Sequence, residues 1–371
     1  MKLVVQLQLK PTPEQTDVLL RTMRAFNAAA GHAAQVGFAA QKYTLPAIQK
    51  LCYRELRERF GMSAQMAIRA IGKVAGCFAI SRAKCPLFNP LGAMIYDHQI
   101  MSRKGSDRIS LLTLVGRVVM PFVCGKRQQQ MLASAKGQAD LIYRGGKFFL
   151  LWTADAPDVP ERVVSDVLGV DLGIVNIATD SDGKTYSGKG VDACREKYAK
   201  RRAVLNRVGT KSARRRLSKI RKRESNFRRN ENHVIAKKLV ASAEGTGRGV
   251  AIEDLKGIRA RITVRKAQRA RHSGWALFQL RTFITYKAKL AGVPVVAVNP
   301  RDTSRTCNEC KHCEKANRKS QSEFVCRKCG HTAPADTNAA RNIRAKALVI
   351  APIVGTVAAT ELQSPRKAQR G

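Results

Sequence analysis

The chain has 371 residues, of which 44% are hydrophobic, and its 68 Lys and Arg residues exceed its 27 Asp and Glu residues by 41. A chain of this length buries a sizeable core, and we expect two to four domains. So large a positive charge calls for a polyanion, and nucleic acid is the expected one because each phosphate contact releases a counterion. A membrane is not expected, since the sequence has no apolar run of about 20 residues and no basic amphipathic helix at a terminus.

The positions of the ten cysteines distinguish a secreted disulfide-bonded protein from one that binds a metal through cysteines. Five are scattered along the chain and five lie between residues 307 and 329, unlike the disulfide framework of a short secreted domain. Residues 2–10 alternate polar and apolar side chains as a strand does, so we expect no signal peptide. The distribution indicates a reducing, cytoplasmic compartment and one cysteine-bound metal site.

The first half begins with the strand at residues 2–10 and continues as helix. Thr12, Pro13 and Gln15 are typical of a helix start with a capping box. The apolar stripe of this helix contains Leu19, Met23, Phe26 and Ala30. Further helical sequence extends to about Ile80.

From about residue 95 to residue 153 the hydrophobic period changes to two, which favours strands. The apolar runs 141–143 and 148–153 flank Arg-Gly-Gly-Lys, a hairpin signal. The first half is therefore interpreted as a helical lobe inserted into, or beside, a small β domain. A linker is expected over residues 154–161.

After the linker the pattern becomes α/β. Core strands are predicted at 167–173, 249–255 and 293–298, and the first continues into a meander that ends near Tyr186. Long helical sequence covers 195–243, with an interruption near Gly209. Two more helices are predicted, at 275–290, with Trp275 and Phe278 on or near its apolar side, and at about 337–350.

Three carboxylates stand at unusual positions in these elements. Asp171 and Glu253 each end an apolar strand, where desolvation disfavours an acidic residue unless it is paired, protonated or bound to metal. Asp336 stands at a helix start, where the dipole favours its ionised form. Carboxylates brought together suit Mg²⁺ or Mn²⁺, and two such ions would suit phosphodiester hydrolysis.

The residues alone leave alternatives open at this site. A single acidic residue at a strand end is more often an ordinary turn or cap residue. Asp254 is adjacent to Glu253 and faces the opposite side of its strand, so either residue, but only one, can face the site. Gly169 and Gly173 flank Asp171 and would allow a ligand or another backbone to come close.

The cysteine cluster has the spacing of a zinc ribbon. Cys307 and Cys310 form one Cys-x-x-Cys pair, and Cys326 and Cys329 form another; four thiolates close a tetrahedral structural Zn²⁺ site. Three alternative ligands remain, namely Cys313, His312 and His331. Gly330 follows the second pair, whereas Lys311 stands where the first pair would have a glycine.

Two basic segments are candidates for phosphate contacts. Residues 195–229 carry sixteen Lys or Arg residues, too dense for an ordinary solvated helix face because like charges repel. A second patch lies between residues 259 and 271. The candidate nucleic-acid-binding residues are Arg201, Arg202, Arg214, Arg215, Lys219, Lys222, Arg265 and Arg269.

Four motifs in order resemble the TnpB family of transposon-encoded proteins. They are Gly169-Val-Asp-Leu-Gly173, Ile252-Glu-Asp-Leu255, Thr303-Ser-x-Thr-Cys307 and Asp336-x-Asn-Ala-Ala-x-Asn-Ile343. The resemblance covers about 165–346 and, more weakly, the first half. It implies that Asp171, Glu253 and Asp336 bind the catalytic Mg²⁺ or Mn²⁺.

The resemblance also implies a fold and its domains. A multidomain α/β plus all-β chain is expected, with an RNase H-like (RuvC) nuclease domain at 160–302 and 333–350 interrupted by a zinc ribbon at 303–332. A β-barrel wedge domain is expected at 1–10 and 90–155, with a helical recognition lobe at 11–89 inserted in it. Residues 351–371 are expected to form a disordered tail.

The implied activity is RNA-guided cleavage of double-stranded DNA beside a short flanking motif, with a guide RNA transcribed from the transposon end. Such a protein works in the prokaryotic cytoplasm, at the nucleoid. Three rival functions are a nucleic-acid-binding regulator or accessory transposition protein without relevant cleavage, a nuclease or transposase that needs no guide, and a small type V CRISPR effector.

Overall fold

The computed structural model describes residues 1–157, 159–255 and 277–350. Two compact units make up the chain, Met1–Pro157 and Asp158–Gly371. None of the described helices is long and apolar enough to cross a membrane.

The first unit is an antiparallel sheet accompanied by helices. Its strands, in the spatial order β2-β6-β7-β1-β5-β4-β3, form one nearly closed sheet. They are β1 (Lys2–Leu9), β2 (Met94–Tyr96), β3 (Met101–Lys104), β4 (Arg108–Thr113), β5 (Gly116–Val123), β6 (Ala135–Arg144) and β7 (Lys147–Asp155). The helices are α1 (Pro13–Ala39), α2 (Leu45–Phe60), α3 (Ala64–Ile80) and α4 (Lys126–Met131).

Local sequence signals in this unit predict the observed elements well. The Thr12 side chain accepts from the Gln15 amide at 3.3 Å and the Gln15 side chain accepts from the Thr12 amide at 3.1 Å, which confirms the capping box. The β6–β7 turn has Gly145 and Gly146 at positive φ, as a tight hairpin requires. The linker predicted at 154–161 begins too early, because Ala154 is buried in β7 opposite Leu3.

The second unit is built on a mixed five-stranded sheet with the order β10-β9-β8-β11-β12. β8, β9 and β10 form an antiparallel meander, and β11 and β12 run parallel to β8. The strands are β8 (Val167–Asp171), β9 (Asn176–Asp180), β10 (Thr185–Ser187), β11 (Gly249–Glu253) and β12 (Val295–Val298). A separate hairpin of β13 (Glu323–Val325) and β14 (Thr332–Pro334) belongs to the cysteine segment.

Helices cover both faces of this sheet, which makes it a mixed α/β unit. They are α5 (Lys189–Val208), α6 (Lys211–Gly245), α7 (Leu277–Ala291) and α8 (Ala335–Ile350). Leu168, Val170 and Ile252 pack toward α6 and α7 on one face. On the other face, Val167 and Ala251 pack against Ile343 and other residues of α8.

The helix predictions hold with small shifts. The interruption at Gly209 is confirmed, since this residue ends α5 at φ 65°. Phe278 is 77% exposed, so its predicted place on or near the apolar side of α7 is wrong. Trp275 and the predicted tail at 351–371 lie outside the described residues.

Candidate active site

Strand register places Asp171 and Glu253 side by side. β8 and β11 are parallel neighbours in which Val170 lies opposite Ile252, so the next residue of each strand is a carboxylate. Side chains alternate between the two faces of a strand. Asp171 and Glu253 therefore share the face of Val167 and Ala251, which α8 covers.

The same alternation directs Asp254 to the opposite face. Its carboxylate forms an ion pair with Arg281 of α7. Glu253, by contrast, is only 8% exposed and acts electrostatically on Asp171. The structure thus brings Glu253 rather than Asp254 to Asp171.

A glycine lets the third carboxylate approach. A Cβ atom at Gly169 would lie 2.1 Å from the carbonyl oxygen of Ala340 and 2.7 Å from the amide nitrogen of Arg344, so only glycine allows α8 to pack this closely on β8. Asp336, in the first turn of α8, accepts a hydrogen bond from Asn176 Nδ2 at 2.8 Å.

Mutual repulsion and burial characterise the cluster. Burial, together with the charges of Glu253 and Asp336, raises the pKa of Asp171 to about 7, while Arg318 acts in the opposite direction. Burial also raises the pKa of Glu253, although the Thr303 hydroxyl partly offsets this. Arg318 Nη2 lies 3.7 Å from Asp336 Oδ1.

The donor set fits a hard divalent cation. Three carboxylates outnumber the two cations that act on them, Arg318 and Lys346, and oxygen ligands are those that Mg²⁺ and Mn²⁺ prefer. Among the described residues, only the four clustered cysteines bring three or more potential metal-ligand atoms within 4.8 Å of one another. The carboxylates perturb one another electrostatically, since the charges of Glu253 and Asp336 act on Asp171.

The thiols of Cys307, Cys310, Cys326 and Cys329 form that closer group. In each Cys-x-x-Cys turn the first cysteine donates its amide to the residue five positions on: Cys307 to His312 O and Cys326 to His331 O, both at 2.9 Å. The thiols perturb one another: the amides of Cys329 and Lys328 lower the pKa of the Cys326 thiol, whereas burial raises the pKa of Cys307 and the neighbouring thiols raise that of Cys329. Four convergent thiols fit Zn²⁺.

The alternative ligands lie outside this group. Cys313 is exposed and belongs to an isolated bridge with Thr306. His312 contacts Glu314 at 3.1 Å, and His331 contacts Asn308 at 3.1 Å. The positive φ of Gly330 is matched by Lys311 at φ 62°, so the first turn adopts the same conformation without a glycine.

The candidate nucleic-acid-binding residues differ in their exposure and in whether they contact another side chain. Arg202 forms an ion pair with Glu224 and so ties α5 to α6. Arg201 stands over the ring of Tyr198 and is exposed. The remaining described candidates, all exposed on α6, are Arg214, Arg215, Lys219 and Lys222. Arg265 and Arg269 lie outside the described residues.

Several residues of this site were missed by the sequence analysis. Asn176 and Arg318 contact Asp336, and no local pattern marks either of them. Thr303 contacts Glu253, and Asn338 and Asn342 bind the backbone beside it. The last three do stand in the recognised motifs, and the one-turn spacing of Asn338 and Asn342 on α8 was an available signal.

Two family models match the chain. Residues 155–257 match a model described as a probable transposase, and residues 278–343 match one described as a Cas12f1-like TNB domain. These matches cover the elements that carry Asp171, Glu253, Asp336 and the cysteines.

Curated relatives are similar over longer stretches. The chain is 28% identical to a CRISPR-associated endodeoxyribonuclease Cas12f1 of Sulfoacidibacillus thermotolerans, over 68% of this chain and 64% of the relative. It is 29% identical to a putative RNA-guided DNA endonuclease, InsQ, of Escherichia coli K12, over 54% of each. A TnpB-like protein of Methanocaldococcus jannaschii is 38% identical over 21% of this chain and 28% of the relative. The chain thus spans less than two thirds of each of these relatives.

Solved structures show a similar fold. The cryo-EM structure of a Cas12f1–sgRNA–target DNA complex aligns with a TM-score of 0.62 at 15% identity, over 90% of this chain and 83% of that one.

Proposed function

We propose that this chain, which belongs to the TnpB family, is an RNA-guided DNA endonuclease that cleaves double-stranded DNA beside a short flanking motif. The observation that carries the proposal is the convergence of Asp171, Glu253 and Asp336 on one face of the sheet in the second unit. The relatives named above as RNA-guided or CRISPR-associated endonucleases support the same activity.

Asp171, Glu253 and Asp336 are the proposed ligands of catalytic Mg²⁺ or Mn²⁺. When bound, the metal lowers the pKa of a water molecule and neutralises charge on the phosphodiester. Asn176 orients Asp336 through its 2.8 Å hydrogen bond. Arg318 places a positive charge at the edge of the cluster, where a scissile phosphate would approach.

The remaining elements receive proposed roles that follow from charge and topology. Residues 160–302 and 333–350 form the RuvC-like nuclease domain, and the ribbon at 303–332 is its Zn²⁺-bound insertion. The exposed basic face of the α5–α6 hairpin, with Arg214, Arg215, Lys219 and Lys222, binds backbone phosphates, which gives affinity without sequence preference. Pairing with a guide RNA from the transposon end supplies the sequence preference, and the protein reads shape and the flanking motif.

The first unit holds the guide in this proposal. Its sheet, at 1–10 and 90–155, is the wedge domain, and the helices at 11–89 are the recognition lobe. The protein acts in the cytoplasm at the nucleoid.

Adjacent carboxylates give a matched test of the site. Glu253→Gln and Asp171→Ala should each lower DNA cleavage by about 10³-fold or more, as expected for residues that act as a unit, with guide and target binding retained. Asp254→Asn, whose side chain pairs with Arg281 on the opposite face, should cleave like the wild type within about threefold, because a partly exposed ion pair contributes at most about 1 kcal/mol. Unchanged cleavage by Asp171→Ala would refute the assignment.

The RNA that co-purifies with the chain tests guidance. We expect one discrete species, and RNase treatment should abolish cleavage. A small type V CRISPR effector is a second candidate, favoured by the Cas12f1-like match at 278–343. A repeat-derived RNA would support the CRISPR candidate, whereas an RNA from the transposon end supports the primary proposal. Full activity without RNA would contradict both.

A further inference from the structure

Among the residues that the structure describes, Thr303 is the one that donates a hydrogen bond to the Glu253 side chain. Its Oγ1 donates to Glu253 Oε1 at 2.5 Å, and the two residues are 3% and 8% exposed. Pro300 O also lies 3.0 Å from this hydroxyl. Since a hydroxyl carries one proton, the shorter contact to a charged acceptor is favoured. The hydroxyl therefore fixes the rotation of the Glu253 carboxylate.

Two asparagines of α8 hold the segment that carries Thr303. Asn342 Nδ2 donates to Thr303 O at 2.9 Å and to Thr306 O at 2.6 Å. Asn338 Nδ2 donates to Thr306 O at 2.9 Å. Asn338 and Asn342 are 0% and 4% exposed, and they lie one turn apart on the helix that bears Asp336.

Asn338 also contacts the first cysteine turn. Asn338 Oδ1 accepts from the Asn308 amide at 3.0 Å, and Asn308 lies between Cys307 and Cys310. The Asn308 side chain contacts His331 of the second cysteine turn at 3.1 Å. A continuous set of hydrogen bonds thus extends from both cysteine turns to Glu253.

We propose that Thr303 is a positioning residue for Glu253, and that the folded zinc ribbon keeps Thr303 in place through Asn338 and Asn342. This inference rests on the proposed function, in which Glu253 binds the catalytic metal. Zinc binding by the thiols and divalent-metal binding by the carboxylates are then thermodynamically coupled, and such coupling is reciprocal.

Mn²⁺ affinity of the full-length chain, measured by isothermal titration calorimetry without nucleic acid, tests the role of Thr303. Thr303→Val should weaken Mn²⁺ binding by about 10- to 100-fold, the usual effect of losing a partner of a metal ligand, and Thr303→Ser should restore it. Thr113→Val is the control, because its buried hydroxyl donates to Gly116 O at 2.7 Å in the first unit and touches no site residue.

Two further variants test the coupling. Asn342→Ala keeps the Thr303 hydroxyl but removes its support, and should weaken Mn²⁺ binding by about tenfold. Cys329→Ser, which weakens zinc binding, should do the same, and its zinc content is measured in parallel. These variants also cover the case in which Thr303→Val does not fold.

The outcomes separate this inference from the function on which it rests. Mn²⁺ affinity within threefold of wild type in folded Thr303→Val, or in zinc-free Cys329→Ser, would overturn the positioning role or the coupling. Asp171→Ala is the reference: if it also leaves Mn²⁺ binding unchanged, the carboxylate site itself is wrong. If Asp171→Ala abolishes binding and Thr303→Val does not alter it, the function stands and this inference fails.

Discussion

The thiol cluster and the carboxylate cluster of the second unit are both candidate metal sites, but they are assembled in different ways. Four thiols come from one short segment, and the amides of their own turns surround them. The carboxylates come from two strands and a helix that are far apart in the chain, and they meet only because the sheet and α8 are formed.

This difference predicts opposite relations between metal and fold. The ribbon has a small core around Cys307, Phe324, Cys326 and Ala335, so its fold should depend on the Zn²⁺ proposed for its thiols. The carboxylate site lies on a large core, and the fold keeps the three carboxylates close together although their charges repel one another. Loss of metal should therefore unfold the first site and relax the second.

Removing a thiol should have the largest effect. Cys326→Ser should remove zinc and unfold residues 303–332, because structural Zn²⁺ contributes about 10 kcal/mol or more to small metal-dependent folds. Amide hydrogen exchange checks this: protection should disappear across 303–332 and persist in β8 and α6. Protection retained in a zinc-free ribbon would show that the two sites do not differ in this way.

Disturbing the packing of α8 on β8 should have the next largest effect. Gly169→Ala should lower the free energy of unfolding by about 3 kcal/mol, because its Cβ would lie 2.1 Å from Ala340 O and overpacking is costly. Urea denaturation measures the change. Gly190→Ala is the control, since nothing lies within 4 Å of its added Cβ and it stands in α5, where alanine is favoured. An unchanged free energy of unfolding in Gly169→Ala would show that this glycine is not what lets α8 bring Asp336 to the site.

Neutralising one carboxylate should stabilise the protein in Mg²⁺-free buffer. The pKa of Asp171 is raised from 3.8 to about 7, so the folded chain holds this proton more tightly than the unfolded chain, and stability falls as pH rises from about 4 to about 7. Asp171→Asn lacks this loss and should be more stable than wild type by about 2–4 kcal/mol at pH 8. Thermal unfolding at pH 5 and pH 8 gives the comparison, and equal pH dependence in both proteins would show that Asp171 carries no such strain.

The same contrast explains what the sequence could predict. The cysteine spacing specifies its site locally, and the ends of the apolar strands mark Asp171 and Glu253. The partner of each carboxylate depends on strand register and on the packing of α8, which is why Asn176 and Arg318 gave no signal. The choice between Glu253 and Asp254 likewise required knowing which face of the sheet α8 covers, because periodicity alone does not say which face carries the site.

The smallest expected effect concerns the backbone conformation of the first cysteine turn. Lys311 has φ 62° where the second turn has Gly330 at φ 73°, and the left-handed region costs a non-glycine residue about 1 kcal/mol. Lys311 Nζ also donates to Asn308 O at 2.6 Å, an exposed contact that offsets little of this cost. Lys311→Gly should therefore stabilise the zinc-bound ribbon by about 0.5–1 kcal/mol. The matched change Gly330→Ala should destabilise it by a similar amount, and competition with a zinc chelator measures both. A weaker zinc affinity in Lys311→Gly would show that the lysine contact, rather than the backbone conformation, holds the first turn.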